Sequence, residues 1–198
     1  MKFNVILFDG FETLDAMGPV EVFGALAEAV EGHELEYYSE KGGIATSAQN
    51  VRVQTLSLSM IEAGGVLLIP GGTGTRREAA NEHFLRSTEA LCGEAQYVLT
   101  VCTGSGLLAK TGLLDGRRAT SNKIAFNWAM EQGPRVRWVR RARWVRDGKY
   151  YTSSGVSAGI DMALGFVSDT MGESVAEKIA RGIEYVWNRD PENDPFGM

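Results

Sequence analysis

The sequence predicts a doubly wound α/β fold, a mostly parallel sheet flanked by helices with antiparallel hairpins added to it, on three observations. Short apolar runs at Val5–Phe8, Val66–Ile69 and Tyr97–Val101 are rich in β-branched residues and bounded by glycine or polar residues, as in strands buried on both faces. Helical periodicity lies between them: Val20, Val22, Phe23, Leu26, Ala27 and Val30 fall on one face, as do Ile160, Ala163, Leu164, Val167 and Met171. Strand and helix patterns also alternate along the chain, the arrangement that builds parallel sheets.

Taken in order, the first strand leads into Asp9-Gly-Phe-Glu12-Thr-Leu-Asp15-Ala-Met-Gly18-Pro19 and then a helix. Alternating apolar and polar residues over Ile44–Val53 predict a hairpin. The strand at Val66–Ile69 runs into the glycine turn Pro70-Gly71-Gly72-Thr73-Gly74. The strand at Tyr97–Val101 stops at Cys102, and the helix that follows ends at Gly112-Leu-Leu-Asp115-Gly116. A short helix is expected over Asn122–Glu131, and a second hairpin over Val136–Tyr151 with Asp147-Gly148 as its turn. Residues 1–187 are expected to form a single domain in a flavodoxin-like arrangement, and 188–198 an irregular tail. In such folds ligands bind beyond the C-terminal ends of the strands.

Composition narrows the function classes. A chain of 198 residues and 21.5 kDa buries roughly 70% of its unfolded surface and needs no staples. The net charge of -5 and pI near 5.2 argue against a nucleic-acid partner. No apolar run approaches the roughly 20 residues of a membrane span, and the N-terminus lacks the apolar region of a signal peptide. The two cysteines, Cys92 and Cys102, have no metal-type spacing. A cytoplasmic protein without metal or cofactor, acting on a small molecule, is expected.

Cys102 is the most informative residue. It sits where an apolar strand gives way to a helix, so unpaired backbone N–H groups and the helix dipole would stabilise a thiolate and pull the thiol below its ordinary pKa of roughly 8.5. A nucleophile is expected there. The acid-bearing loop after the first strand and the Gly71-Gly72 turn lie at the same strand-end rim, which brings Glu12, Asp15 and Glu21 into consideration as partners of the sulfur.

Other patterns carry less. Gly104-Ser-Gly-Leu-Leu-Ala109-Lys110-Thr111 nearly matches a phosphate-binding loop, but Ala109 replaces the second glycine and the segment reads as helix. Gly155-Val-Ser157-Ala-Gly159 fits an esterase elbow, yet the only histidines, His33 and His83, both precede Ser157, so the required chain order fails. Arg135–Arg146 interleaves arginine with tryptophan; period-two alternation explains this as strands with one solvated face and one tryptophan-bearing buried face.

Val101-Cys102-Thr103-Gly104-Ser105, with Gly112-Leu-Leu-Asp-Gly-Arg-Arg-Ala-Thr120, Leu14-Asp15-Ala-Met-Gly18-Pro19 and Gly155-Val-Ser-Ala-Gly-Ile-Asp161, resembles the ThiJ/PfpI superfamily over nearly the whole chain. The resemblance implies Cys102 as elbow nucleophile, Asp15 as the acid at the sulfur, Thr103 as a pocket residue, and Gly72 as an amide for developing negative charge. It also implies a homodimer. Several branches carry a histidine shortly after the Arg-Arg-Ala-Thr strand; this chain has Ser121-Asn122, and Asn122 is no general base. That departure favours the superfamily's isonitrile-hydrating chemistry, driven by a cysteine and a carboxylate, over a Cys-His mechanism. Glyoxalase or deglycase chemistry on a carbonyl, and a non-enzymatic cysteine redox sensor, are the alternatives. The superfamily's transcription regulators add a DNA-binding module, for which 198 residues leave no room.

Overall fold

In the computed structural model, which describes residues 1–197, an eight-stranded sheet runs through the molecule in the order β3-β4-β2-β1-β5-β6-β10-β9. Its strands are β1 (Lys2–Ile6), β2 (Glu34–Ser39), β3 (Gly43–Thr46), β4 (Arg52–Ser57), β5 (Val66–Ile69), β6 (Tyr97–Val101), β9 (Trp144–Asp147) and β10 (Tyr150–Ser153). The pairs from β4 through β10 are parallel, and the antiparallel pairs β3·β4 and β10·β9 close the two edges. Val5, Leu67, Leu68, Val98 and Leu99 are almost wholly buried, which is why these strands read as unbroken apolar runs.

Helices α1 (Thr13–Ala29), α2 (Thr75–Glu78), α3 (Glu82–Glu94), α4 (Gly104–Lys110), α5 (Phe126–Gln132), α6 (Ala158–Met171) and α7 (Glu173–Gly182) cover the faces. Phe3 stacks on Phe23 of α1 at 4.3 Å, and Phe166 of α6 meets both edge-on. Asn81 caps α3 by accepting from the Phe84 N–H. The Lys149 ammonium donates to the carbonyls of Cys92, Gly93 and Ala95 at 2.8, 2.8 and 3.0 Å, satisfying the other end of that helix.

The predicted second hairpin is shorter than Val136–Tyr151. Only β9 and β10 form it, turning at Asp147-Gly148. Arg137–Trp138 is instead a separate strand, β8, paired in parallel with β7 (Arg118–Ala119). Nor is the arginine side of this segment uniformly solvated. Arg140 stacks on Phe126 and Arg146 reaches Asp169, whereas Arg143 turns inward and is 6% exposed. Its guanidinium meets Asp161 at 2.8 Å and lies 3.7 Å from Asp194. Alternation along the sequence assigns sides only within a strand, and Arg143 stands in the turn before β9.

Residues 183–197 carry no helix or strand, yet they are pinned to the body. The Asn188 N–H donates to Asp161 Oδ1, the Arg143 N–H donates to the Pro191 carbonyl, and Asp194 is buried 3.5 Å from the Lys123 ammonium. No helix among the described residues is long and apolar enough to cross a membrane.

Candidate active site

Strand β6 delivers Cys102 to the C-terminal rim of the sheet, and the backbone there takes φ +57°, a left-handed conformation that side chains rarely adopt. The elbow is clamped from both sides. The Cys102 N–H donates to the carbonyls of Ser153 and Ser154, both at 3.2 Å, and the Cys102 carbonyl accepts from Ser105 Oγ and Ser121 Oγ, both at 2.9 Å. Such over-determination is what sustains a strained residue at a reactive position.

Asp15 comes from the first turn of α1 and is fully buried. Gly18 lets α1 approach α6, since a Cβ at that position would stand 2.8 Å from Ile160 Cγ1. Asp15 Oδ2 accepts from the Gly71 N–H at 3.0 Å, Oδ1 is buried without a partner, and the carboxyl and the Cys102 thiol act on each other's protonation. Gly71 has no room for a side chain: a Cβ would lie 2.5 Å from the Thr103 nitrogen and 2.8 Å from Asp15 Oδ2. The glycine turn after β5 is therefore a spacer that allows acid, elbow and strand end to converge.

Of the three acids at the rim, the structure brings Asp15 to the sulfur. Glu12 accepts from Gln49 Nε2 at 2.8 Å, and Glu21 lies exposed along α1. Thr103 is buried next to the sulfur, and its N–H and hydroxyl favour the thiolate. The Gly72 N–H donates to Thr103 Oγ1 at 3.1 Å, so Gly72 reaches the elbow through that hydroxyl. His83 pairs with Glu40 at 2.7 Å and His33 turns to the Val30 carbonyl. Asn122 accepts from the Ala125 N–H ahead of α5 and packs against Gly155, a structural part.

Burial pushes the Asp15 carboxyl up to about 7, opposed by the Gly71 N–H and the Cys102 thiol. Burial also pushes the Cys102 thiol up, and the Asp15 charge adds to this; the Thr103 N–H opposes both. The direction is opposite to the one predicted from the strand-to-helix junction. Cys102 is 7% exposed and its thiol interacts with a carboxyl, and desolvation outweighs the dipole of a helix only seven residues long. The thiol therefore keeps its proton at neutral pH, and it is the carboxyl that titrates there. Cys92, wholly buried, is pushed up to about 12 by burial, with Lys149 opposing.

Sequence reasoning missed the two serines that grip the Cys102 carbonyl. Ser105, three residues on, follows a local turn pattern; Ser121 has no sequence signal. Among the described residues no three His, Cys, Asp or Glu side chains gather as a metal-ligand set.

Several known proteins resemble this chain over most of its length. The DJ-1/PfpI family profile matches residues 1–169. An isonitrile hydratase of Pseudomonas putida is 29% identical over 187 residues, 93% of this chain and 78% of that protein. A deglycase of Pyrococcus abyssi is 29% identical over 157 residues, 77% of this chain and 89% of its own length. The crystal structure of a ThiJ/PfpI family protein from Pseudomonas syringae superposes with a TM-score of 0.85 at 27% identity, covering 94% of this chain and 76% of that one.

Proposed function

The chain belongs to the DJ-1/PfpI family, and from that premise we propose that it is a cysteine-dependent isonitrile hydratase, converting R–N≡C and water into R–NH–CHO. The observation that carries this reading is the buried Cys102–Asp15 pair with Asn122 where a Cys-His mechanism would need a histidine. An isonitrile is neutral and accepts both sulfur and hydrogen on its terminal carbon, so one thiol and one proton carrier suffice.

In this reading the Asp15 carboxylate takes the Cys102 proton as sulfur bonds to the terminal carbon, and returns that proton to the same carbon, giving S–CH=N–R. Water then adds across the C=N bond, oxygen to carbon and hydrogen to nitrogen. Asp15 moves the hydroxyl proton to sulfur as the C–S bond breaks and the formamide leaves. A carboxyl near 7 suits a group that must both accept and donate. The Thr103 N–H stabilises charge on sulfur.

Residues 1–187 are the catalytic domain in this proposal, 188–198 an irregular tail, and the protein a cytoplasmic homodimer by family resemblance. A carbonyl substrate is the second reading, supported by the similarity to a deglycase. Incubation with cyclohexyl isocyanide is expected to give N-cyclohexylformamide in the wild type and none in Cys102→Ala. Absence of formamide from the wild type, with consumption of methylglyoxal instead, would replace the first reading by the second.

A further inference from the structure

Two arginines follow the glycine turn, and their surroundings differ. Arg77 is committed: it donates to the Asp9 carbonyl at 2.8 Å and pairs with the buried Glu78. Arg76 meets no carboxylate among the described residues. Its guanidinium lies 4.2 Å from the centre of the Trp128 ring, and Nη1 donates to Thr75 Oγ1 at 3.0 Å and to the Gly72 carbonyl at 3.4 Å. Stacking holds the planar fork in place while leaving its Nη2 side available.

This cation stands beside the Cys102 elbow. Thr75 Oγ1 lies 3.2 Å from Thr103 Oγ1, and Thr103 directly follows Cys102, so the hydroxyls of Thr75 and Thr103 lead from Arg76 to the elbow. On the other flank Trp128 packs on the first turn of α4, where a Cβ at Gly106 would lie 2.5 Å from its ring. Arg76 and Trp128 therefore bridge the glycine turn and α5 across the start of α4. The negative groups on the α1 side are Asp15 and Glu12, and the whole chain carries -5. An anion has little reason to approach unless a local cation offsets them.

We propose that Arg76 is a specificity-determining residue: fixed on Trp128 beside the Cys102 elbow, it selects an electrophilic substrate that also carries a carboxylate, whose two oxygens fit the guanidinium fork. The proposal rests on Cys102 as the nucleophile, and is independent of whether the electrophile is an isonitrile or a carbonyl.

Alkylation of Cys102 by anionic iodoacetate and neutral iodoacetamide tests it, read peptide by peptide with N-acetylcysteine as the reference thiol. The wild-type ratio of iodoacetate to iodoacetamide rates is expected to exceed the reference by about tenfold. Ionic strength near 1 M, where the screening length is about 3 Å, is expected to collapse the excess. Arg76→Gln should bring the ratio to the reference while leaving the iodoacetamide rate within about twofold, and Arg76→Lys should retain part of it. Equal ratios in wild type and Arg76→Gln, or a loss of both rates together, would overturn the proposal. Cys102 inert to both reagents would remove the nucleophile reading and this one with it. Carboxylate selectivity without formamide production would remove only the isonitrile.

Discussion

Two strand-to-helix elbows lie side by side in this molecule. One joins β6 to α4 through Cys102 at φ +57°, and the other joins the neighbouring parallel strand β10 to α6 through Val156 at φ +47°. Both residues pay for a conformation suited to glycine, but the strain serves different ends. The first elbow presents a side chain to the rim. The second places the Val156 N–H where it favours the Asp15 carboxylate. The hydroxyl that makes the second elbow look catalytic, Ser157 Oγ, is tied to Arg143 Nη2 at 3.3 Å. A sharp turn after a strand is thus a way of aiming atoms; what the turn does depends on which groups from elsewhere in the chain meet it.

The largest expected effect separates the elbows by chemistry. Cys102→Ala should lower formamide production by about three orders of magnitude, roughly 4 kcal/mol on the barrier, while Ser157→Ala stays within about twofold, both measured as initial rates. Equal losses would mean that the second elbow is also reactive.

Asp15→Asn probes the group the two elbows share. Loss of the proton carrier should lower the rate by about 10²–10⁴-fold. Stability should move the other way. The folded-state pKa of Asp15 lies above its unfolded value of 3.8, so the folded protein binds the extra proton between those values and wild-type stability declines as pH rises through about 7. The asparagine variant lacks that decline and should be more stable than wild type by roughly 2–4 kcal/mol above about pH 8. Urea midpoints across pH read this directly; parallel curves for the two proteins would show that folding does not raise the Asp15 pKa.

Arg143→Met strips the second elbow of its anchor. It leaves Asp161 and Asp194 buried without their guanidinium, and about 3–5 kcal/mol of stability should be lost, read as a lower urea midpoint and faster proteolysis within 188–198. The folded fraction should keep its Cys102 alkylation rate, because the first elbow has its own clamps at Ser105 and Ser121.

Val156→Gly is the mildest perturbation. Relief of a β-branched left-handed residue is worth about 1–3 kcal/mol, and the glycine's added unfolded-state freedom takes back roughly 0.5–1, so a rise of about 1 kcal/mol is expected in thermal unfolding. No rise would mean that contacts of the Val156 side chain offset the strain.

Much of the frame was legible because it rests on local patterns. Fully buried parallel strands must be apolar along their length, so β5 and β6 are visible in Val66–Ile69 and Tyr97–Val101, whereas Val5–Phe8 catches only the last two residues of β1, which begins at Lys2. The first hairpin and the Asp147-Gly148 turn were legible from alternation and turn chemistry. The extent of the second hairpin was not, because Arg137–Trp138 pairs with Arg118–Ala119, and nothing local to either segment announces that partner. At the candidate site, the strand-to-helix junction exposed Cys102, and family resemblance singled out Asp15 from Glu12 and Glu21. Ser121, Arg76 with Trp128, and the Arg143–Asp161–Asp194 network carry no sequence signal, since each is defined by residues that meet only in space.

By itself, then, the amino-acid sequence determined the layered α/β fold, the place of the thiol at a strand end, and the family to which the chain belongs, because periodicity, turn residues and motif spacing are properties of neighbouring residues. The tertiary structure alone decided the protonation balance at the thiol. A short helix beginning at Gly104 predicts a lowered pKa, but the surrounding chain excludes water from sulfur and carboxyl together, and the desolvation of a charge is set by every atom around it rather than by its neighbours in sequence.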